Sequence, residues 1–252
     1  MSSATITTSA RLINSTPQTE EQAMVRKVAV SSFLGNFIEW FDYASYSYFA
    51  TTIALVFFPT DNHTVAMLQT FGVFALSFIL RPIGALFWGS YGDKKGRKAA
   101  LAHSIMFMSG ASFLIGCLPS YSVIGVGAPI LLLLLRMVQG FSASGEYAGA
   151  ATFLGEYAPT SKRGIYCSLI PASTAIGLLA GSTLATLMTA NMNSSAMVGW
   201  GWRVPFLLAG PLGLIVLYIR AKLADSPVYQ SMNDALESKG AASADGQIAA
   251  KS

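Results

Sequence analysis

Charge is what this chain has least of. Only 11% of its 252 residues are Asp, Glu, Lys or Arg, against 53% hydrophobic residues and a mean hydropathy of +0.51. A soluble domain carries about a quarter charged residues, so that class is excluded and a bilayer protein is left. Histidine and cysteine are also scarce, at two each. They show no metal-ligand spacing, and no Ser/His/Asp arrangement sits on a supporting turn, so an intramembrane enzyme has no machinery here and neither metal nor cofactor is expected. Cys117 ends the third apolar run and Cys167 begins the fifth, near opposite membrane faces, which argues against a disulfide. The net charge of +4 and pI of 9.1 come from cations scattered between apolar runs, a pattern that excludes nucleic acid as a partner. The first 27 residues lack the apolar core and small-residue cleavage site of a signal peptide, so the first run is expected to remain as an anchor. Asn-x-Ser/Thr matches at Asn14, Asn62 and Asn193 carry little weight in a Ser/Thr-rich chain.

What the chain does have is long apolar runs. A helix needs roughly 20 such residues to cross a bilayer, and six stretches qualify: residues 28–58, 67–87, 99–118, 128–157, 165–190 and 204–219. The fold class is therefore all-α, a bundle of six transmembrane helices over residues 28–221. A polar cytoplasmic segment over residues 1–27 precedes it, and a flexible cytoplasmic tail over residues 222–252 follows it. Cytoplasmic loops retain Lys and Arg. With the N-terminus inside, that side holds Arg11, Arg26, Lys27, Lys94, Lys95, Arg97, Lys98, Lys162, Arg163, Arg220, Lys222, Lys239 and Lys251, while the outside holds Arg203. A multi-pass protein of the cell (inner or plasma) membrane with both termini cytoplasmic follows.

Ionisable groups at bilayer depth are costly, so each is a functional candidate. Glu39, Asp42, Arg81, Arg136 and Glu146 all lie within the runs. At about 1.5 Å per residue, Glu39 and Glu146 lie roughly 16 Å from the cytoplasmic end and Arg81 roughly 10–14 Å, so three helices bring charge to one level. Asn36, Glu39, Asp42, Tyr43 and Tyr46 are spaced to form a polar stripe on the first helix. The stripe reads as the lining of an aqueous pathway, and the alternative is a buried ion pair such as Glu39 with Arg81 that fixes packing. Glu146, set among Ser, Gly and Ala, can load and release a proton, or it is a packing carboxylate paired with a base. Arg136, with Gln139 one turn on, can hold a substrate carboxylate or organise a charge network. His103 reads as an interfacial or packing residue.

Between the second and third runs stands Gly89-Ser-Tyr-Gly92-Asp93-Lys-Lys-Gly96-Arg97-Lys98. The glycines suit a tight turn, and Asp93, Arg97 and Lys98 suit a latch whose ion pairs form in one state and break in another. The segment resembles the loop signature of the major facilitator superfamily. Arg136-Met-Val-Gln139-Gly140 and the loop Lys162-Arg163-Gly164 are similar to further superfamily motifs. Gly35-Asn36-Phe-Ile-Glu39-Trp40-Phe-Asp42-Tyr43, Arg81-Pro82-Ile-Gly84, Gly145-Glu146-Tyr147 and Gly201-Trp202-Arg203-Val-Pro205-Phe206 resemble its metabolite:proton symporters. The proline/glycine-betaine branch is the most similar.

The resemblance implies an N-terminal six-helix bundle and a carrier, not an enzyme. It implies proton-coupled symport of a small metabolite or compatible solute, with proline or betaine first and an organic acid such as citrate second. Absence of the antiporter Gly-Pro signature in the fifth run favours symport. Glu39, Asp42 and Glu146 are then candidates for proton coupling, and Asn36, Tyr43, Tyr46, Arg81, Arg136 and Gln139 for the substrate cavity. Gly89, Gly92, Asp93, Gly96, Arg97, Lys98 and Arg163 are candidates for a cytoplasmic gate. Partners are the lipid bilayer, the solute and the proton, with the proton gradient as energy source. Relatives carry twelve spans in two bundles with substrate between them, and this chain stops in the linker. The expectation is a half carrier completed by a second six-helix half or a homodimer; the alternative is a truncated or split half that acts only as an assembly partner.

Overall fold

A computed structural model describes residues 16–223. The helices in order are α1 (Thr16–Tyr48), α2 (Ala50–Phe57), α3 (His63–Ile79), α4 (Arg81–Lys95), α5 (Arg97–Cys117), α6 (Tyr121–Ile124), α7 (Gly127–Ala143) and α8 (Glu146–Tyr157). They are followed by α9 (Arg163–Cys167), α10 (Leu169–Asn191), α11 (Ser194–Gly199) and α12 (Val204–Ala221). They assemble as six spans: α1–α2, α3–α4, α5, α7–α8, α9–α10 and α12.

Local chemistry sets the joints. Pro82 has no amide to give to the carbonyl four residues back, and the helix breaks at Leu80 just ahead of it. Asn62 Oδ1 accepts from the amides of Thr64 (3.0 Å) and Val65 (3.3 Å), capping α3. Asn193 Oδ1 caps α11 through the Ala196 amide at 2.8 Å. Two of the three Asn-x-Ser/Thr matches are thus helix caps, and Asn14 lies outside the described residues. On the Gly201–Ala221 side, the Arg203 guanidinium donates to the carbonyls of Gly116 (2.8 Å) and Leu118, closing the C-terminal end of α5.

Among the described residues, five stretches are long and apolar enough to cross a membrane: His63–Lys95, Arg97–Cys117, Gly127–Tyr157, Thr160–Asn191 and Gly201–Ala221. The first helix is excluded from that set by its own polar side chains, yet it is the hub of the bundle. It packs against the fifth, sixth and fourth spans, and Ser31, Ser32, Asn36, Glu39, Asp42 and Ser45 are all buried in it. Apolar side chains turn outward instead, with Leu86 76% and Leu214 68% exposed. This is the inside-out arrangement that lipid, not water, stabilises.

Two expectations need correction. The first helix begins at Thr16, not near residue 28, so residues 16–27 of the polar segment are helical; nothing apolar is required of a helix beyond the bilayer. Residues 1–15, and the tail from residue 224 onward with Lys239 and Lys251, lie outside the described residues. The polar hinge of residues 89–98 also shrinks. α4 runs to Lys95, α5 starts at Arg97, and Gly96 alone makes the turn at φ +94°. Only glycine takes that backbone without steric cost.

Candidate functional site

The buried polar residues of α1 do not share one face. Successive residues on a helix turn by about 100°, so Asn36, Glu39 and Asp42 each step back by about 60° and aim at three different neighbours. Asn36 Nδ2 lies 3.0 Å from the Ile170 carbonyl, 2.8 Å from Ser173 Oγ and 2.9 Å from Thr174 Oγ1, which ties the first span to the fifth. Glu39 Oε1 accepts from Arg81 Nη2 of the second span at 2.7 Å. The same nitrogen donates to the Tyr43 hydroxyl. Asp42 turns to the third and fourth spans. It accepts from Arg136 Nη1 at 2.6 Å, from Ser112 Oγ at 2.8 Å and from Gln139 Nε2 at 3.2 Å.

Each group is held by more than its ion pair. The Arg136 guanidinium lies 3.9 Å above the Tyr46 ring and 5.5 Å from the Phe206 ring centre. Tyr46 in turn donates to the Thr70 carbonyl at 2.9 Å. Gln139 also bonds Ser112 Oγ. Around Arg81, the rings of Tyr43 and Phe78 lie 5.1 and 4.5 Å from the guanidinium carbon, and Phe74 packs edge-on to both rings.

Glu146 opens α8 and meets a partner that sequence reading placed in a cytoplasmic loop. Arg220, in the last turn of α12, donates from both terminal nitrogens to the two carboxylate oxygens, at 2.9 Å for Nη1 to Oε2. Its Nε donates to Ser31 Oγ at 3.1 Å, Nη1 also reaches the Leu101 carbonyl, and Ser104 Oγ donates to Glu146 Oε2 at 3.3 Å. Gly35 makes the space. A Cβ there would overlap Glu146 Oε1 and Arg220 Nη2. Gly35 is one turn before Glu39, so Glu146 and Glu39 do sit at neighbouring depths, as the residue counting predicts, but with separate partners.

The charges thus form three ion pairs in three places, Glu39–Arg81, Asp42–Arg136 and Glu146–Arg220, and the first is the buried pair that stood as the alternative to an aqueous lining. The physical reason is the cost of bare charge away from water, which drives each carboxylate onto the nearest guanidinium. Glu39, Asp42, Arg136, Glu146 and Arg220 are at most 3% exposed. Arg81 differs, with 27% of its side chain open at the bundle surface. Four cavities described on the bundle are lined by none of the charges of these pairs.

The gate candidates also separate. Arg97 Nε pairs with Glu156 Oε1 of the fourth span at 2.9 Å, whereas Asp93 and Arg163 are exposed. Gly92 is buried in α4 against Ala100, Gly89 faces open space, and Lys98 is half-buried. The Arg97 ion pair thus joins the third span to the fourth. His103 is exposed, bonded through Nδ1 to the Ala99 carbonyl at 2.7 Å and stacked edge-on with Tyr91. Cys117 and Cys167 are free. Sequence reasoning missed Arg220 and Glu156. Arg220 falls inside the last apolar turn, and a cation there opposite the small residues Gly35 and Ser31 was the available signal; nothing in the sequence pointed to Glu156.

A helical bundle with apolar side chains outward and paired charges inward is the arrangement of a multi-pass membrane protein. The match in architecture is to the N-terminal bundle of the major facilitator superfamily. The proton:xylose symporter XylE bound to 6-bromo-6-deoxy-D-glucose superposes with a TM-score of 0.74 at 16% identity, over 83% of this chain and 46% of that one. Escherichia coli XylE in a partially occluded inward-open conformation gives 0.75 at 17% identity, over 84% and 51%. A family model described as sugar (and other) transporter matches residues 27–248, and the chain belongs to that family. It is 42% identical to the proline/betaine transporter of Salmonella typhimurium over 217 residues, 86% of this chain and 43% of the relative. Identity is also 42%, over the same shares, to the glycine betaine/proline/ectoine/pipecolic acid transporter OusA of Dickeya dadantii. The chain thus spans less than half the length of these relatives.

Proposed function

We propose that this bundle is the N-terminal half of a proton-coupled symporter for a small zwitterionic compatible solute of the proline or betaine type. Glu39 with Arg81 would be its coupling pair. The single observation that carries the reading is the exposure of Arg81. Of the three internal ion pairs, only this one has a cation that reaches the surface, where solute and proton can arrive; the other two are sealed and act as ties. Protonation of Glu39 releases Arg81, and a freed guanidinium framed by Tyr43 and Phe78 is suited to a solute carboxylate, while the aromatic faces suit a quaternary ammonium. Proton and solute then favour the same state, which is the requirement for symport. This narrows the coupling candidates from three carboxylates to one, with Asp42 and Glu146 holding the bundle together. The relatives' names supply the solute class, and an organic acid such as citrate is the second choice. The cell membrane with both termini cytoplasmic fits the crowding of Arg26, Lys27, Lys94, Lys95, Arg97, Lys98 and Lys162 at one end of the bundle.

The test is uptake of labelled proline, betaine and citrate into liposomes under an imposed pH gradient. The chain is reconstituted alone, and also together with a second six-helix bundle of the same family, which supplies the missing wall of the cavity. Uptake only with the second bundle supports a half carrier. In the complete assembly, Glu39→Gln is expected to abolish gradient-driven accumulation while leaving solute exchange without a gradient. Accumulation that survives the substitution would refute the assignment of Glu39.

A further inference from the structure

We infer that a groove between the first span and the connection from the fourth span to the fifth binds the headgroup and one acyl chain of an anionic phospholipid. The groove encloses about 730 Å³ and lies outside the three ion pairs. Its polar end is formed by Arg26 and Lys162, with Gln22 and Ser161 beside them, and its other end by Val30, Phe33, Leu34 and Leu169. One cation comes from α1 and the other from the turn just before α9, and both line the same groove. Both are exposed, and neither is paired with a carboxylate among the described residues.

The depth of the groove decides between a lipid and a soluble anion. Arg26 sits about one and a half turns before Ser31, the first of the buried polar residues of α1, and Lys162 lies in the short turn between the fourth and fifth spans, at the end of the bundle that carries Lys94 to Lys98. From that boundary the wall runs inward over side chains that face outward from the bundle: Val30 is 44% exposed and Phe33 and Leu34 are half-buried. A free phosphate would use only the two cations and leave the apolar wall uncovered. A phospholipid uses both ends at once, phosphate on Arg26 and Lys162 and acyl chain along Val30, Phe33 and Leu169. Basic pockets between spans at the cytoplasmic boundary recognise lipid phosphate in this way, and the long cationic stems can snorkel to it.

The experiment uses the purified chain in mild detergent, with native mass spectrometry to count retained lipid during titration with phosphatidylglycerol or phosphatidylcholine carrying identical acyl chains. One phosphatidylglycerol is expected to be retained in preference to phosphatidylcholine. Each basic residue near a membrane surface contributes about fivefold to lipid binding, so Arg26→Gln and Lys162→Gln should each weaken retention by about that factor, and the double variant by about thirtyfold. Lys95→Gln, an exposed cation that does not line the groove, serves as the control and should leave retention unchanged. Size-exclusion profiles of the variants check that the bundle is intact, and both target side chains are exposed, so it should be. Equal retention of the two lipids, an undiminished signal in the double variant, or an equal loss in the control would overturn the assignment. So would displacement of bound phosphatidylglycerol by millimolar inorganic phosphate, which would mark a free-anion site.

Discussion

Removing one member of the Glu146–Arg220 pair should cost the bundle more than removing both. Arg220→Met deletes the guanidinium that meets both carboxylate oxygens and leaves Glu146 facing only Ser104 Oγ at 3.3 Å, at 1% exposure. An uncompensated buried charge of this kind costs about 3–5 kcal/mol, whereas replacing a buried pair by apolar groups of similar volume is often near neutral. Against a total stability of about 5–15 kcal/mol, the single substitution should remove a large share. Glu146→Met should do comparable harm, since it strands Arg220 with Ser31 and the Leu101 carbonyl as acceptors. The double variant should recover most of the loss, so the coupling energy in the cycle should exceed either single loss, at more than about 3 kcal/mol. Unfolding in mild detergent, followed through the fluorescence of buried Trp202 and the other tryptophans, measures all four proteins. The half-exposed Arg97–Glu156 pair provides the contrast: Arg97→Gln should cost no more than about 1 kcal/mol. If Arg220→Met cost under about 1 kcal/mol, or the double variant simply summed the singles, the pair would not be the tie described.

Two further outcomes follow from the backbone. Gly35→Ala places a methyl group onto Glu146 Oε1 and Arg220 Nη2, so it should destabilise the bundle by about 1–3 kcal/mol in the same unfolding assay; the loss should be smaller in the double-Met background, where flexible thioether chains replace the fixed ion pair. Gly96→Ala forces a side chain onto φ +94° and should cost about 1–2 kcal/mol, read as a lowered midpoint of thermal unfolding, whereas Gly89→Ala, which meets open space inside α4, should be neutral or stabilising.

Much of the molecule was legible from residue types alone. Scarce charge and runs of 20 apolar residues leave the chain no stable home but a bilayer. That Glu39 and Glu146 lie at neighbouring levels of the bundle also follows from helical rise. The turn at Gly96 was legible because only glycine accepts that backbone, but its length was not: Asp93, Lys94 and Lys95 are compatible with helix or loop, and their solvent exposure leaves the choice to the packing of α4 on α5. The polar stripe was misjudged for a geometric reason. A spacing of three looks like one face, yet two such steps rotate a side chain by about 120°, enough to send Asn36 to the fifth span and Asp42 to the third and fourth.

Sequence determined that charge lies inside these helices and at which depth, because hydrophobicity and helical rise are properties of a single segment. Tertiary structure decided which carboxylate meets which guanidinium, because pairing depends on how each helix is rotated against its neighbours, and that is set by contacts between segments far apart in the chain. Arg220 shows the difference: as a residue it ends an apolar run, and only the packing of α12 on α1, α5 and α8 turns it into the partner of Glu146.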